Sequence, residues 1–146
     1  MDIEIISNHL PLTIYGIGAV AVNKDYTGTA FKASGRMWDI IKMNGIKNKG
    51  RNIWVYEEGD KVFAGVELEE NTVPGNALLD KKELRLGKHA YYKHIGPYNR
   101  IKETGKAMTA QLIQQGFEVV LPSIEIYGHW TNDETKLETE LLMCVK

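Results

Sequence analysis

Six side chains of this 146-residue sequence have the types and spacing to bind or transform an organic molecule: Glu125, Tyr127, Trp54, Tyr56, Tyr92 and Phe63. Glu125 interrupts the apolar run Ser123-Ile124-Glu125-Ile126-Tyr127. Strand side chains alternate between faces, so Glu125 and Tyr127 point one way and Ile124 and Ile126 the other. Trp54 and Tyr56 share the same alternation in Ile53-Trp54-Val55-Tyr56. A carboxylate among aromatic walls suits a cationic or hydrogen-bond-donating organic ligand. Each aromatic face adds about 0.5–2 kcal/mol of cation–π attraction, and a partly desolvated ion pair adds more. The bland alternative is a glutamate on the wet face of a one-sided sheet, the commoner place for a strand glutamate.

Other chemistries find less support. His9, His89, His94 and His129 have no zinc-type spacing, and His89 and His94 would point to opposite faces of a strand, so no metal is expected. Gly16-Ile17-Gly18 imitates a dinucleotide-binding turn but lacks the helix that must begin at the glycines and the acidic residue that ends the next strand. Those glycines are read instead as relieving crowding in a bent strand, and no cofactor is expected. Cys144, the single cysteine, has no basic neighbour to activate it and excludes an internal disulfide. Lys42, Lys47, Lys49 and Arg51 are read as a solvated stretch at a helix end.

The elements that must position the six residues occur twice. Sliding residues 30–56 forward onto 101–127 lays Met37 on Met108, Ile41 on Leu112, Gly45 on Gly116, Ile53 on Ile124 and Tyr56 on Tyr127 without a gap. Self-similarity at one offset marks a repeated unit. Trp54 then falls on Glu125, the sharpest difference between the halves. In the first half, strands are expected over 3–6 and 12–22, a helix over 30–44 stopped by Gly45, and a hairpin of 53–56 with 62–68 across Glu57-Glu58-Gly59-Asp60. Residues 72–79, with Pro74-Gly75, join the halves. The second half repeats the plan with a strand over 84–94, a break at Gly96-Pro97, a cap at Asn99, a helix ending before Gly116, and strands over 123–127 and 137–145. The expected fold is α+β: two strand-helix-strand-strand modules, approximately 1–70 and 84–146, whose largely antiparallel sheets are related by a pseudo-twofold axis with a ligand groove at their junction.

Composition bounds the partners. A chain that is 43% hydrophobic and 25% charged fits one compact domain over residues 1–146. A formal net charge of −1 supplies no positive field for nucleic acid. The longest apolar segment, 10–22, is interrupted by Pro11, Gly16 and Gly18 and is shorter than the roughly 20 residues that span a bilayer. Asp2 and Glu4 do not make the basic start of a signal peptide, so a cytoplasmic location is expected.

The run His94-Ile95-Gly96-Pro97-Tyr98 before a helix, then Pro122-Ser123-Ile124-Glu125-Ile126-Tyr127, then Thr139-Glu140-Leu141 resembles the GyrI-like small-molecule-binding domain. That family includes the effector-binding domains of multidrug-responsive bacterial transcription activators. The resemblance implies a cleft between two modules and a glutamate, here Glu125, that recognises lipophilic cations. Met143-Cys144-Val145 stands where the family commonly carries a proline. No helix-turn-helix precedes the first strand, so a stand-alone ligand binder without direct DNA contact is expected. Two rivals remain. Some relatives resemble hydrolases that open cyclopropane rings of DNA-alkylating natural products, which would use Glu125 and Tyr127; the sequence leaves open which second acid, if any, reaches the groove, with Glu67 and Glu140 as candidates. Another resembles an inhibitor of DNA gyrase, which would make this an interaction module.

Overall fold

The computed structural model describes residues 1–72 and 78–146, so Pro74 and Gly75 of the expected connection lie outside the described residues. Chain order is β1 (Glu4–Ile6), β2 (Leu10–Val20), α1 (Tyr26–Asn44), β3 (Asn52–Glu57), β4 (Lys61–Val66), β5 (Asp80–Leu86), β6 (His89–Ile95), α2 (Ile101–Gln114), β7 (Val119–Tyr127) and β8 (Glu138–Val145). A 3-10 turn, Tyr98–Arg100, leads into α2.

Helix α1 begins a turn earlier than its apolar pattern requires. Asp25 caps it, Oδ1 accepting from the Gly28 amide at 3.1 Å, and Gly45 closes it in the left-handed conformation at φ +58°. The Asn99 cap is not found: Asn99 lies within the 3-10 turn, and α2 starts without a side-chain cap. The expected strand over 84–94 divides at Gly87-Lys88 into β5 and β6.

The strands form one antiparallel sheet in the order β1-β6-β8-β7-β3-β4-β2-β5. This corrects the expectation of two sheets, because the two modules join edge to edge through β3 and β7. Exchanging β2 with β6, β3 with β7, β4 with β8 and β1 with β5 reverses that order and leaves the sheet unchanged. Trp54 pairs directly with Glu125 in the register, flanked by Asn52 opposite Tyr127 and Tyr56 opposite Ser123. The pseudo-twofold axis therefore passes between Trp54 and Glu125. The leading strands are exchanged: β1 pairs with β6 of the other half, and β5 pairs with β2 of the first.

Both helices lie on the face that carries Trp54 and Glu125. Ala30, Ala33, Met37 and Ile41 of α1 pack with Ile17, Trp54, Val62 and Ala64, whereas Met108 and Leu112 of α2 pack with Ala90, Leu141 and Val145. The opposite face buries a core built only from strands, including Ile14, Ile53, Val55, Phe63, Ile124 and Leu142. With no helix over these side chains, the twisted sheet must bend around them for Ile14, Ile53 and Val55 to be fully buried. Among the described residues, no helix is long and apolar enough to cross a membrane.

Candidate functional site

A groove of about 1300 Å³ runs along the β3–β7 junction, between α1 on one side and the Tyr98–Lys102 segment on the other. Its floor is the row that the register places on one face: Asn52, Trp54, Tyr56, Ser123, Glu125 and Tyr127. Tyr56 and Tyr127 are pseudo-symmetry mates. Both hydroxyls converge on one atom, Tyr56 donating to Glu125 Oε1 at 2.7 Å and Tyr127 at 2.9 Å. Among the described residues Oε2 has no hydrogen-bond partner, and it is not sealed from solvent, so it faces the groove.

The surroundings set the charge states. Desolvation raises the Glu125 carboxyl above its ordinary range, and the two tyrosine hydrogen bonds partly oppose that shift. Desolvation and the Glu125 charge hold both tyrosines far above the ordinary phenol range, so they remain donors at any physiological pH. Trp54 lies 4.7 Å from the Tyr127 ring between centroids, tilted by 60°, and its Nε1–H is buried with no partner among the described residues. Two further tyrosines, which the sequence pattern did not single out as ligand walls, extend the box. Tyr98 meets Tyr127 edge-on at 5.4 Å, and Tyr26 meets Tyr56 edge-on at 6.4 Å while donating to Asp60 at 2.6 Å. Tyr26 follows a helix N-cap and Tyr98 follows Gly96-Pro97, so each is aimed by a chain break. His94 secures the second break, its Nε2 3.1 Å from the Pro97 carbonyl and its Nδ1 2.9 Å from Thr104 Oγ1.

Four of the six sequence candidates, Glu125, Tyr127, Trp54 and Tyr56, come together on this floor. Phe63 does not. It pairs with Val55, one step out of phase with Trp54 and Tyr56, and lies in the strand-only core of the opposite face. Tyr92 is on the correct face, opposite Leu141, but packs in the core under α2 and does not line the groove. Glu67 and Glu140 are also elsewhere: Arg51 clamps both, at 2.9 and 3.2 Å, and Tyr91 donates to Glu140 at 2.7 Å. Glu140 stands opposite Ile126, on the far face from Glu125. Among the described residues no group of three or more His, Cys, Asp or Glu side chains is placed to hold a metal ion. Cys144 is buried in the strand-only core.

Comparison with known proteins agrees with this architecture. A family model described as the GyrI-like small molecule binding domain matches residues 32–146. The fold is similar to that of the EcmrR C-terminal domain, with a TM-score of 0.71 at 12% identity over 100% of this chain and 99% of that one. It is similar to SAV2435 bound to tetraphenylphosphonium, with a TM-score of 0.66 at 20% identity over 100% and 94% of the two chains. It is also similar to a hydrolase from Listeria innocua, with a TM-score of 0.60 at 13% identity over 99% and 91%. No curated protein matches the sequence.

Proposed function

This chain belongs to the GyrI-like family of small-molecule-binding domains, and from that premise we propose that it captures an aromatic or lipophilic organic cation in the groove, as a drug-binding sink or as a sensor for a partner. The observation that carries the reading is the free oxygen of Glu125. Two tyrosines fix the carboxylate through Oε1, and Oε2 is left toward a cavity walled by Trp54, Tyr56, Tyr127 and Tyr98. An arriving cation meets an acceptor already oriented, so little ordering cost accompanies binding. A structural neighbour bound to tetraphenylphosphonium supports the choice of ligand class.

The hydrolase alternative shares this cleft, and a hydrolase is among the structural neighbours. Glu67 and Glu140, the candidate second acids, are held by Arg51 outside the groove, and the acids that do line it, Asp25, Glu57, Glu58 and Asp60, gather at the turn beyond Tyr56 and the start of α1, away from Glu125. The geometry therefore favours binding without turnover.

Calorimetric titration with tetraphenylphosphonium and with neutral triphenylphosphine oxide tests the reading. Desolvation favours the protonated carboxyl in the empty protein, and a bound cation favours the ionised one. Cation affinity should therefore rise with pH through the titration of Glu125, whereas affinity for the neutral oxide, whose oxygen accepts hydrogen bonds, should not rise. Parallel pH profiles for the two probes would remove Glu125 from ligand recognition. Trp54→Ala should weaken both probes alike, by about tenfold, because it removes a wall and no charge.

A further inference from the structure

The two ends of the groove would be equivalent if the pseudo-symmetry were complete, and they are not. At the end where Asn52 faces Tyr127, the lining includes Trp38 and the exposed Trp130. Ser34 of α1 ties that end together, its hydroxyl 2.9 Å from Asn52 Nδ2, and His129 reaches within 3.6 Å of where a side chain on Gly50 would start. At the other end, where Tyr56 faces Ser123, the chain turns through Glu57-Glu58-Gly59-Asp60. The offset that matches Trp54 to Glu125 matches Trp130 to Gly59, so an indole at one mouth corresponds to a bare turn at the other.

The charges differ in the same sense. Glu57 is bridged to Lys82 and Asp25 caps α1, but Glu58 has no salt bridge among the described residues and Asp60 holds only the Tyr26 hydroxyl and is otherwise exposed. Lys24 lines the groove near these acids and offsets them in part. Among the described residues the aromatic end is lined by the titratable side chains His129, Tyr127 and Tyr98, none of them a carboxylate, and Lys102 at the start of α2 adds a cation to the lining. Between the ends, Asn52 to Tyr56 spans roughly 13 Å at about 3.3 Å per residue, with Glu125 midway.

We propose that the groove is directional: it takes elongated amphipathic cations with the bulky aromatic group at the Trp38–Trp130 end, the charge over Glu125, and the tail toward the Glu58–Asp60 turn. This deepens the small-molecule-binding reading and rests on it. A tail ending in a second positive group should be preferred, because it approaches carboxylates that have no cationic partner among the described residues.

Two matched probes, pentyltriphenylphosphonium and (5-aminopentyl)triphenylphosphonium, test the direction by calorimetry at low salt. The wild-type protein should bind the aminopentyl probe about three- to tenfold more tightly. Trp130→Ser, at an exposed position, should weaken both probes about tenfold and leave the melting temperature unchanged. The double variant Glu58→Gln/Asp60→Asn should leave the pentyl probe unaffected and erase the advantage of the aminopentyl one. Equal wild-type affinities for the two probes, or unchanged binding in Trp130→Ser, would overturn the direction while leaving cation capture intact. Binding of neither probe by the wild-type protein would overturn both readings.

Discussion

Glu125→Gln is expected to weaken tetraphenylphosphonium binding by about ten- to a hundredfold, or about 1–3 kcal/mol, while triphenylphosphine oxide, a neutral acceptor, is not weakened. The substitution keeps the shape and keeps an oxygen able to accept from Tyr56 and Tyr127. It removes the charge at the one place on the floor where a carboxylate faces the cavity. The same variant should make the empty protein more stable at neutral pH. A carboxyl raised by desolvation binds its proton more tightly folded than unfolded, so its ionisation opposes folding. That opposition is absent below the ordinary glutamate value of 4.5 and grows as pH rises through the folded value. The stability gap between the variant and the wild-type protein should therefore open with rising pH and close in acid. Thermal unfolding across pH, paired with calorimetry, checks both halves. Equal loss of the cationic and neutral probes would mean that Glu125 only shapes the floor.

Gly16→Ala is expected to be the most damaging small substitution in the fold. A Cβ at Gly16 would stand 1.8 Å from the Ala64 carbonyl oxygen and 2.6 Å from Gly65 Cα. Those are backbone atoms of β4, which is held between β2 and β3 and has no side chain to swing aside. The strands must separate locally, at a cost of about 3 kcal/mol or more. Gly18, two residues along, is the control: its Cβ would meet Phe63 Cδ2 at 3.4 Å, ordinary contact. Gly18→Ala should unfold within about 1 kcal/mol of the wild-type protein in urea. Similar losses for the two would show that the Gly16 contact relaxes, and that close approach does not explain the glycine pair.

What was legible in the sequence was the part written in local periodicity. The alternation around Trp54 and Glu125 placed Tyr56 and Tyr127 beside them, and the fixed offset placed all four on equivalent strands. The offset also contains the pairing itself: strands related by a twofold axis and joined edge to edge bring equivalent residues face to face. Phe63 was not legible because Val62-Phe63-Ala64-Gly65-Val66 is apolar throughout and gives no polar marker of its face. Only its register with Val55 shows it pointing away. Tyr92 had the right face but lies two strands from β7, a lateral distance that alternation does not encode. Arg51 explains the withdrawal of Glu67 and Glu140, and it gathers them from remote parts of the chain. The division of residues 84–94 is not marked in the sequence because Gly87-Lys88 is a weak break.

The exchange of leading strands carries a consequence for assembly. Each half completes its sheet with a strand that precedes the other half, so the contacts between halves are indifferent to whether both halves come from the same molecule. Two chains that meet while unfolded can pass arms to one another and satisfy every pairing, including β3 with β7 and its groove. Refolding from urea at high concentration should therefore yield a domain-swapped dimer with two intact grooves, separable by size exclusion and absent after refolding at high dilution. Because the native pairings would hold it together, such a dimer should return to monomer only as fast as the chain unfolds.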